Sequence, residues 1–455
     1  MKRLIAALAL TLVPATAHAW EPETTHAGLA EQAALKSRLH KRLASLGFNG
    51  GLFEPLTIPP ADAPSLIKAV KLLSPTHGSV PDGRGRQVAL GWLTAGAALA
   101  DIPAAYGANH FFDPATGKGW SAPDRNLLTS LSDKVREAVG RASLPDRGVP
   151  AVQWITAKDN PFSYDNFLAQ YAKAVSAATP GERSRHMAAA LVAAGALMHV
   201  LGDLGAPSRV RGDMAAHLEP LGAGPDDLGS RMERIAALAY GRLGVPAASR
   251  TITRTHLRDF FTSKDGGGLA DLIARTYFSP NTLPKTTRSA GGPAPLVRPQ
   301  PRLPAKLNLM AANREEGTVY RDVNGTCLLR YRLEHDFVTF SLDDECMLEQ
   351  LAVILPEVAS YEAGMLDYLL RGELVITAGD QIVVSGKGLG AGSVEVLVED
   401  DRGVRTKVTS QQTTGTEELL RVAAPASGTR IVAVFRGIDA AGEPVVAVGA
   451  APFSR

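Results

Sequence analysis

The chain has 455 residues, 45% of them hydrophobic, and 48 Lys and Arg against 46 Asp and Glu. This length exceeds one typical domain and supplies enough apolar residues for a sizeable core plus a smaller second unit. The near balance of charge argues against a dedicated nucleic-acid binder, so no stable nucleic-acid partner is expected.

Chain order begins with a compartment signal. Lys2 and Arg3 precede an apolar stretch from Leu4 to Leu12, and Ala17-His18-Ala19 is a small-residue cleavage site, the pattern of a secretory signal peptide over residues 1–19. Cleavage there makes Trp20 the mature N-terminus and leaves 46 basic and 46 acidic residues. A periplasmic or secreted protein follows. The stretch is too short for a membrane span, and no later run reaches about 18 uncharged apolar residues. No Cys follows the cleavage point to take a lipid anchor. In an oxidising compartment Cys327 and Cys346 read as one disulfide. The alternative is two buried thiols, a common state of free Cys.

From Pro22 to about Ser279 the sequence is rich in Ala and Leu at helical spacing, with runs at Thr24 to Leu46, Ser65 to Leu73, Asn126 to Ala142, Tyr164 to Ala178 and Arg183 to Leu204. The last is apolar almost all round and predicts a buried central helix. Residues 281–306 are dominated by Pro, Gly, Thr and Arg and read as an exposed connection. Tyr320 to Leu342 predicts a hairpin turning at Asn324-Gly325, closed by the disulfide. Helical periodicity returns over 347–371 and stops at Gly372, in a segment expected to pack back on the helical body. From Glu373 the period becomes two, in ELVITAG, QIVVSGKG, SVEVLVEDDRG, RIVAVFRG and EPVVAVGA, which predicts a small antiparallel β-sandwich over residues 372–455. The fold class expected is therefore mainly α, with a β unit at the C-terminus.

Several polar residues stand out against this apolar background. The α-amino group exposed at Trp20, together with its carbonyl oxygen, could chelate a metal. His26 lies at the start of the first helix, where a cap or surface role is the commoner one. Asp101, His110 and Asp113 fall in ADIPAAYGANHFFDPATGKGW, a stretch crowded with aromatic and turn residues. His199 and Asp203 are four apart on the apolar helix and share one face. Burying both is expensive unless a cation offsets the cost, although a satisfied His-Asp pair in the core is the plain alternative. His40, His77, His186, His256 and His335 sit in polar or helix-edge settings and read as solvated or capping. TGKG at 116–119 lacks the preceding strand and glycine of a phosphate-binding loop and reads as an ordinary loop.

Taken in order, WxxxxxH at the mature start, AxxxDIP, NHFFDPxTGKGW and HxLGDLxxP resemble the zinc-dependent phospholipase C family, whose helical fold is shared by fungal single-strand nucleases. The resemblance covers about residues 20–280, with 347–371 joining the same body; the β unit lies outside it. It implies Trp20 and His26 on one zinc, Asp101, His110 and His199 on a second, and Asp203 bridging them. It also implies that Asp101 accepts a proton from the attacking water, with a purely ligating role as the alternative. The pattern of the third zinc departs from the family: Arg209 stands where a His is normal, and an Arg cannot ligate. Glu233 matches the later acidic position, but Gly229 replaces its His. Asp213 and His217, four apart, are the candidates to substitute, and Arg209 is a candidate for substrate phosphate. Two zinc ions are expected, with a third open. The implied activity is hydrolysis of phospholipid head groups by a monomer, with possible peripheral membrane contact. The rivals are a single-strand nuclease of the same fold and a metal- or phosphate-binding protein that has lost turnover.

Overall fold

The structure, a computed structural model, describes residues 22–72, 80–121, 146–217, 219–220, 228–285, 287–288, 301, 307–415 and 417–453. The predicted signal peptide, Trp20, His77 and the predicted helix Asn126 to Ala142 lie outside the described residues.

Helices dominate up to Thr276, as their spacing predicts. A short π-helical turn, Pro22–His26, leads into Ala27–Lys36, and a break at Ser37 and Arg38 separates that helix from Leu39–Ser45. Ser37 causes part of this break, because its Oγ accepts from the Leu39 N–H at 3.2 Å and starts the second helix on a new axis. The central helix runs over Pro180–Asp203. Thr179 and Glu182 cap it reciprocally, with Pro180 in the first turn, where its missing N–H costs nothing. By length and composition it could cross a membrane, yet 89% of its most apolar window is buried inside the protein, packed against Ala89–Leu99, Tyr164–Ser176 and the long helix Asp344–Leu369.

The crossing of Ala89–Leu99 on the central helix is unusually close. A Cβ on Gly96 would stand 2.1 Å from the Val192 carbonyl oxygen, and one on Gly195 would stand 2.0 Å from that of Leu93. Glycine on both sides therefore brings backbone against backbone and fixes which residues face each other farther along both helices.

Strands Thr318–Arg321, Cys327–Glu334 and Phe337–Ser341 form the predicted hairpin and a second one beside it. The second turn is made by His335 and Asp336, both at positive φ (47° and 68°). A two-residue turn of that kind requires positive φ twice, so His335 has a structural part that its solvated reading missed. Thr287–Arg288 pairs with Phe337 and Val338, so the Pro-rich connection contributes a short strand where none was expected. The Cys327–Cys346 disulfide forms, tying this sheet to the start of helix Asp344–Leu369. Asp343 caps that helix by accepting from the Cys346 N–H at 2.9 Å.

Among the described residues, the C-terminal part contains seven strands in two antiparallel sheets. Leu374–Ala378, Gln381–Gly386 and Glu418–Ala423 make one, and Leu389–Glu399, Arg405–Thr413, Arg430–Asp439 and Pro444–Pro452 the other. Arg405–Thr413 and Glu418–Ala423 were not among the five expected segments. In the first of these, RTKVTSQQT, most side chains are exposed or half-buried, so its period-two signal is faint. Val394, Val396, Ile431, Ala433 and Phe435 fill the core between the sheets. Leu397, Val432, Val434, Val446 and Val448 face the other way and belong to the core of the helical body. One sheet is thus buried on both faces, which is why RIVAVFRG reads as a continuous apolar run. Arg405 fastens the seam: it donates to the Val175 carbonyl oxygen at 2.6 Å and to Glu399 at 2.7 Å.

Candidate metal centre

Four elements converge where the central helix ends. The helix itself supplies His199 and Asp203, and the turn after Ala89–Leu99 supplies Asp101. The 3-10 helix Ala104–His110 supplies His110, and the turn Pro22–His26 supplies His26. All five are at most 1% exposed.

Asp203 is the hub. Its Oδ1 lies 2.9 Å from His26 Nε2, and its Oδ2 lies 2.8 Å from His110 Nδ1, 3.2 Å from Arg209 Nη1 and 3.3 Å from His199 Nε2. Asp101 closes the group from the opposite side, with Oδ1 3.2 Å from His110 Nδ1 and Oδ2 3.3 Å from His199 Nε2. Asp101, His110, His199 and Asp203 each present a ligand atom within 4.8 Å of all the others, a spacing that suits a metal ion. His26 stacks flat on His199, with ring centres 3.5 Å apart.

The hydrogen bonding also fits a cation. His199 Nδ1 is 2.6 Å from the Ala97 carbonyl oxygen, which can only accept, so Nδ1 carries the proton of the neutral ring and Nε2 keeps a lone pair facing the two carboxylates. The Gly96–Gly195 crossing makes that contact possible by setting the two backbones together. His110 Nε2 and His199 Nε2 are buried and make no hydrogen bond. Nitrogen and oxygen donors of this mix are what zinc and similar divalent ions take.

Electrostatics show what the cluster does when a proton takes the place of a metal. Burial alone would discharge His199, but Asp203 and Asp101 outweigh it and raise its pKa to about 10. Burial, and then the charge on His199, lower His26 to about 3 and keep it neutral. Burial also opposes ionised Asp203, and the charges of Arg209 and His199, with the hydrogen bond from His110, override it, so its pKa is well below the usual carboxylate value. The His199 imidazolium and the Arg209 guanidinium therefore both face the ionised Asp203 carboxylate.

The residues expected around a third metal gather differently. Arg209 is 1% exposed and lies over the Phe111 ring at 4.5 Å, with Nε 3.6 Å from Glu233 Oε1. His217 Nδ1 approaches the same Glu233 oxygen at 3.8 Å. That approach is not an ion pair, because burial holds Glu233 well above its ordinary pKa and, with the Arg209 charge, holds His217 well below its own. Asp213 turns away: its carboxylate accepts from the Asn281 backbone and side-chain nitrogens, both at 2.9 Å, and from the Ala216 N–H at 3.3 Å. Gly229 sits in a two-residue strand paired with Glu219 and Pro220. Among the expected ligands, the structure thus brings His26, Asp101, His110, His199 and Asp203 together. It sets His217 and Glu233 beside Arg209 and leaves Asp213 outside, while Trp20 lies beyond the described residues. Asp113 pairs with Lys118 across a turn at Gly117, so TGKG is a loop, as its sequence predicts.

One residue near the centre escaped the sequence reading. Glu362, on helix Asp344–Leu369, is 1% exposed, and burial raises its pKa well above the usual value. Its sequence signal was a lone acid in the apolar run VASYEAGML.

No protein-family model matches the chain, and no curated protein matches it. Among solved structures it is similar to the crystal structure of Clostridium perfringens alpha-toxin isolated from avian strain SWCP, at 13% identity over 96% of this chain and 99% of that one, with a TM-score of 0.29. An overlap of that size carries no argument about the chemistry, which rests on the side chains themselves.

Proposed function

We propose that this chain is an exported zinc-dependent phosphodiester hydrolase of the phospholipase C type, processed to begin at Trp20. The observation that supports it most is the buried Asp101, His110, His199 and Asp203 group, with the proton of His199 directed away from the carboxylates by Ala97. The substrate class, a phospholipid head group, is what the resemblance of the motifs carrying these residues implies. Asp101, His110, His199 and Asp203 would hold zinc, which when bound would supply Lewis-acid activation of a water and of a phosphoryl oxygen. In this reading Asp203 would be a ligand at the centre of the set and Asp101 would take up the proton from water. Trp20 and His26 complete the set. Arg209 supplies a fixed positive charge toward phosphate where the family would place a third metal. The β unit contacts the membrane surface, and the protein works as a monomer.

A second reading is a metal- or phosphate-binding protein without turnover. The Arg209 to Asp203 contact at 3.2 Å favours it, since a guanidinium already occupies that side of the centre. Zinc per chain, measured on protein beginning at Trp20 and on protein with one residue added ahead of Trp20, tests the metal set. Two ions in the first and fewer in the second are expected. Zinc-dependent release of head group from phosphatidylcholine vesicles, with no cleavage of single-stranded DNA, supports the hydrolase. Bound zinc without turnover of either substrate supports the metal-binding protein, and no zinc in either form sinks the hydrolase and leaves only the phosphate-binding form of the second reading.

A further inference from the structure

Helix Asp344–Leu369 carries the Glu362 carboxylate to the edge of the metal centre, where Oε2 is buried and makes no hydrogen bond. On the near side stands His26, whose Nε2 faces Asp203 at 2.9 Å while Nδ1 is buried and makes no hydrogen bond. Gly202 lies between them on the central helix. A Cβ there would be 2.6 Å from Glu362 Oε1 and 3.4 Å from His26 Nδ1. The carboxylate and the second ring nitrogen therefore share the space above one glycine.

We propose that Glu362 is the positioning residue of His26, accepting the Nδ1 proton when Nε2 is engaged by a divalent cation. A neutral imidazole has one N–H and one lone pair, so giving the Nε2 lone pair to a cation places the proton on Nδ1. A buried N–H needs an acceptor, and Glu362 is the carboxyl group set beside it, whose carbonyl oxygen accepts whether or not the acid is ionised. His199 already uses the same device in this centre, with the Ala97 carbonyl oxygen as acceptor. The arrangement also accounts for Gly202, since glycine inside a helix is less favourable than alanine and needs a reason. A side chain there would push the carboxylate off its position.

This inference rests on the metal reading above, and the experiment separates the two. Full-length protein processed to Trp20 is prepared with Glu362 intact, as Glu362→Gln and as Glu362→Ala, and stripped of metal. Zinc affinity is measured by competition with a chromophoric chelator, and 15N-labelled histidine reports the Nδ1 proton of His26 by NMR. A 10- to 100-fold loss of affinity is expected for Glu362→Ala, as for other groups that orient metal ligands. A smaller loss is expected for Glu362→Gln, whose amide oxygen still accepts. The Nδ1 resonance should shift in both, with the metal-free melting temperature of Glu362→Gln unchanged. Equal zinc affinity in all three proteins overturns the role of Glu362 and leaves the metal reading intact. An affinity loss matched by destabilisation of the metal-free variants, with an unmoved Nδ1 resonance, overturns it too. Failure of the unsubstituted protein to bind zinc overturns the metal reading itself.

Discussion

Asp203 has four nitrogen partners and two oxygens, so its charge holds together groups that would otherwise repel one another. Removing the charge while keeping the shape, as in Asp203→Asn, leaves Arg209 buried without its counter-ion. A cost of about 3–5 kcal/mol is expected, read as a lower melting temperature together with loss of bound zinc. His199 gives a pH-dependent test. Because its pKa is raised to about 10, zinc binding at pH 7 must displace a proton. Calorimetry in buffers of different ionisation enthalpy should show at least one proton released, and buffer-independent heats would count against this. The sign for stability follows from the same shift. In metal-free protein the protonated ring stabilises the fold fully below pH 6.5, and this contribution is withdrawn as pH rises through about 10. Melting temperatures taken from pH 6.5 to 10 should therefore fall more steeply without zinc than with it.

At the scale of elements, the central helix and its glycine crossing set the centre's geometry before any side chain acts. Gly195→Ala places a carbon 2.0 Å from the Leu93 carbonyl oxygen and must separate the helices. Destabilisation by roughly 2 kcal/mol or more is expected, with weakened zinc binding because Ala97 recedes from His199. Unchanged melting and zinc content would show that the crossing is slack. The central helix was legible in the sequence because a long run that is apolar almost all round has few alternatives, although its start at Pro180, capped by Thr179, lies ahead of the Arg183 read there. His199 and Asp203 were legible because their spacing alone puts them on one face. What local spacing does not encode is which distant elements meet. That Arg209 would turn inward to Asp203, that Asp213 would be taken up by Asn281, and that Glu362 would arrive from residues far along the chain all depend on tertiary packing. The strand Arg405–Thr413 was hidden for another reason: it is the edge strand of its sheet and most of its side chains are exposed or half-buried, so hydrophobic alternation has little to bury there.

At the scale of the whole molecule, the helical body and the β unit share one core through the sheet that contains Arg430–Asp439. Arg405→Ala removes a donor to the Val175 carbonyl oxygen and the nearer of two cationic partners of Glu399, leaving Arg183 at 3.7 Å, at an expected cost of about 2 kcal/mol. Calorimetry should show one unfolding transition for the parent protein; two separate transitions would show that the units fold independently. The seam also sets terms for descent. The helix Tyr164–Ser176 packs against Arg430–Asp439 and Pro444–Pro452, and Tyr164 donates to the Pro444 carbonyl oxygen at 2.6 Å. A relative that had lost the strands would expose this apolar flank to water, so it should carry polar residues at the positions of Tyr164 and Val175. Gain or loss of the β unit in this lineage would then be written twice, once in chain length and once on a helix two hundred residues upstream.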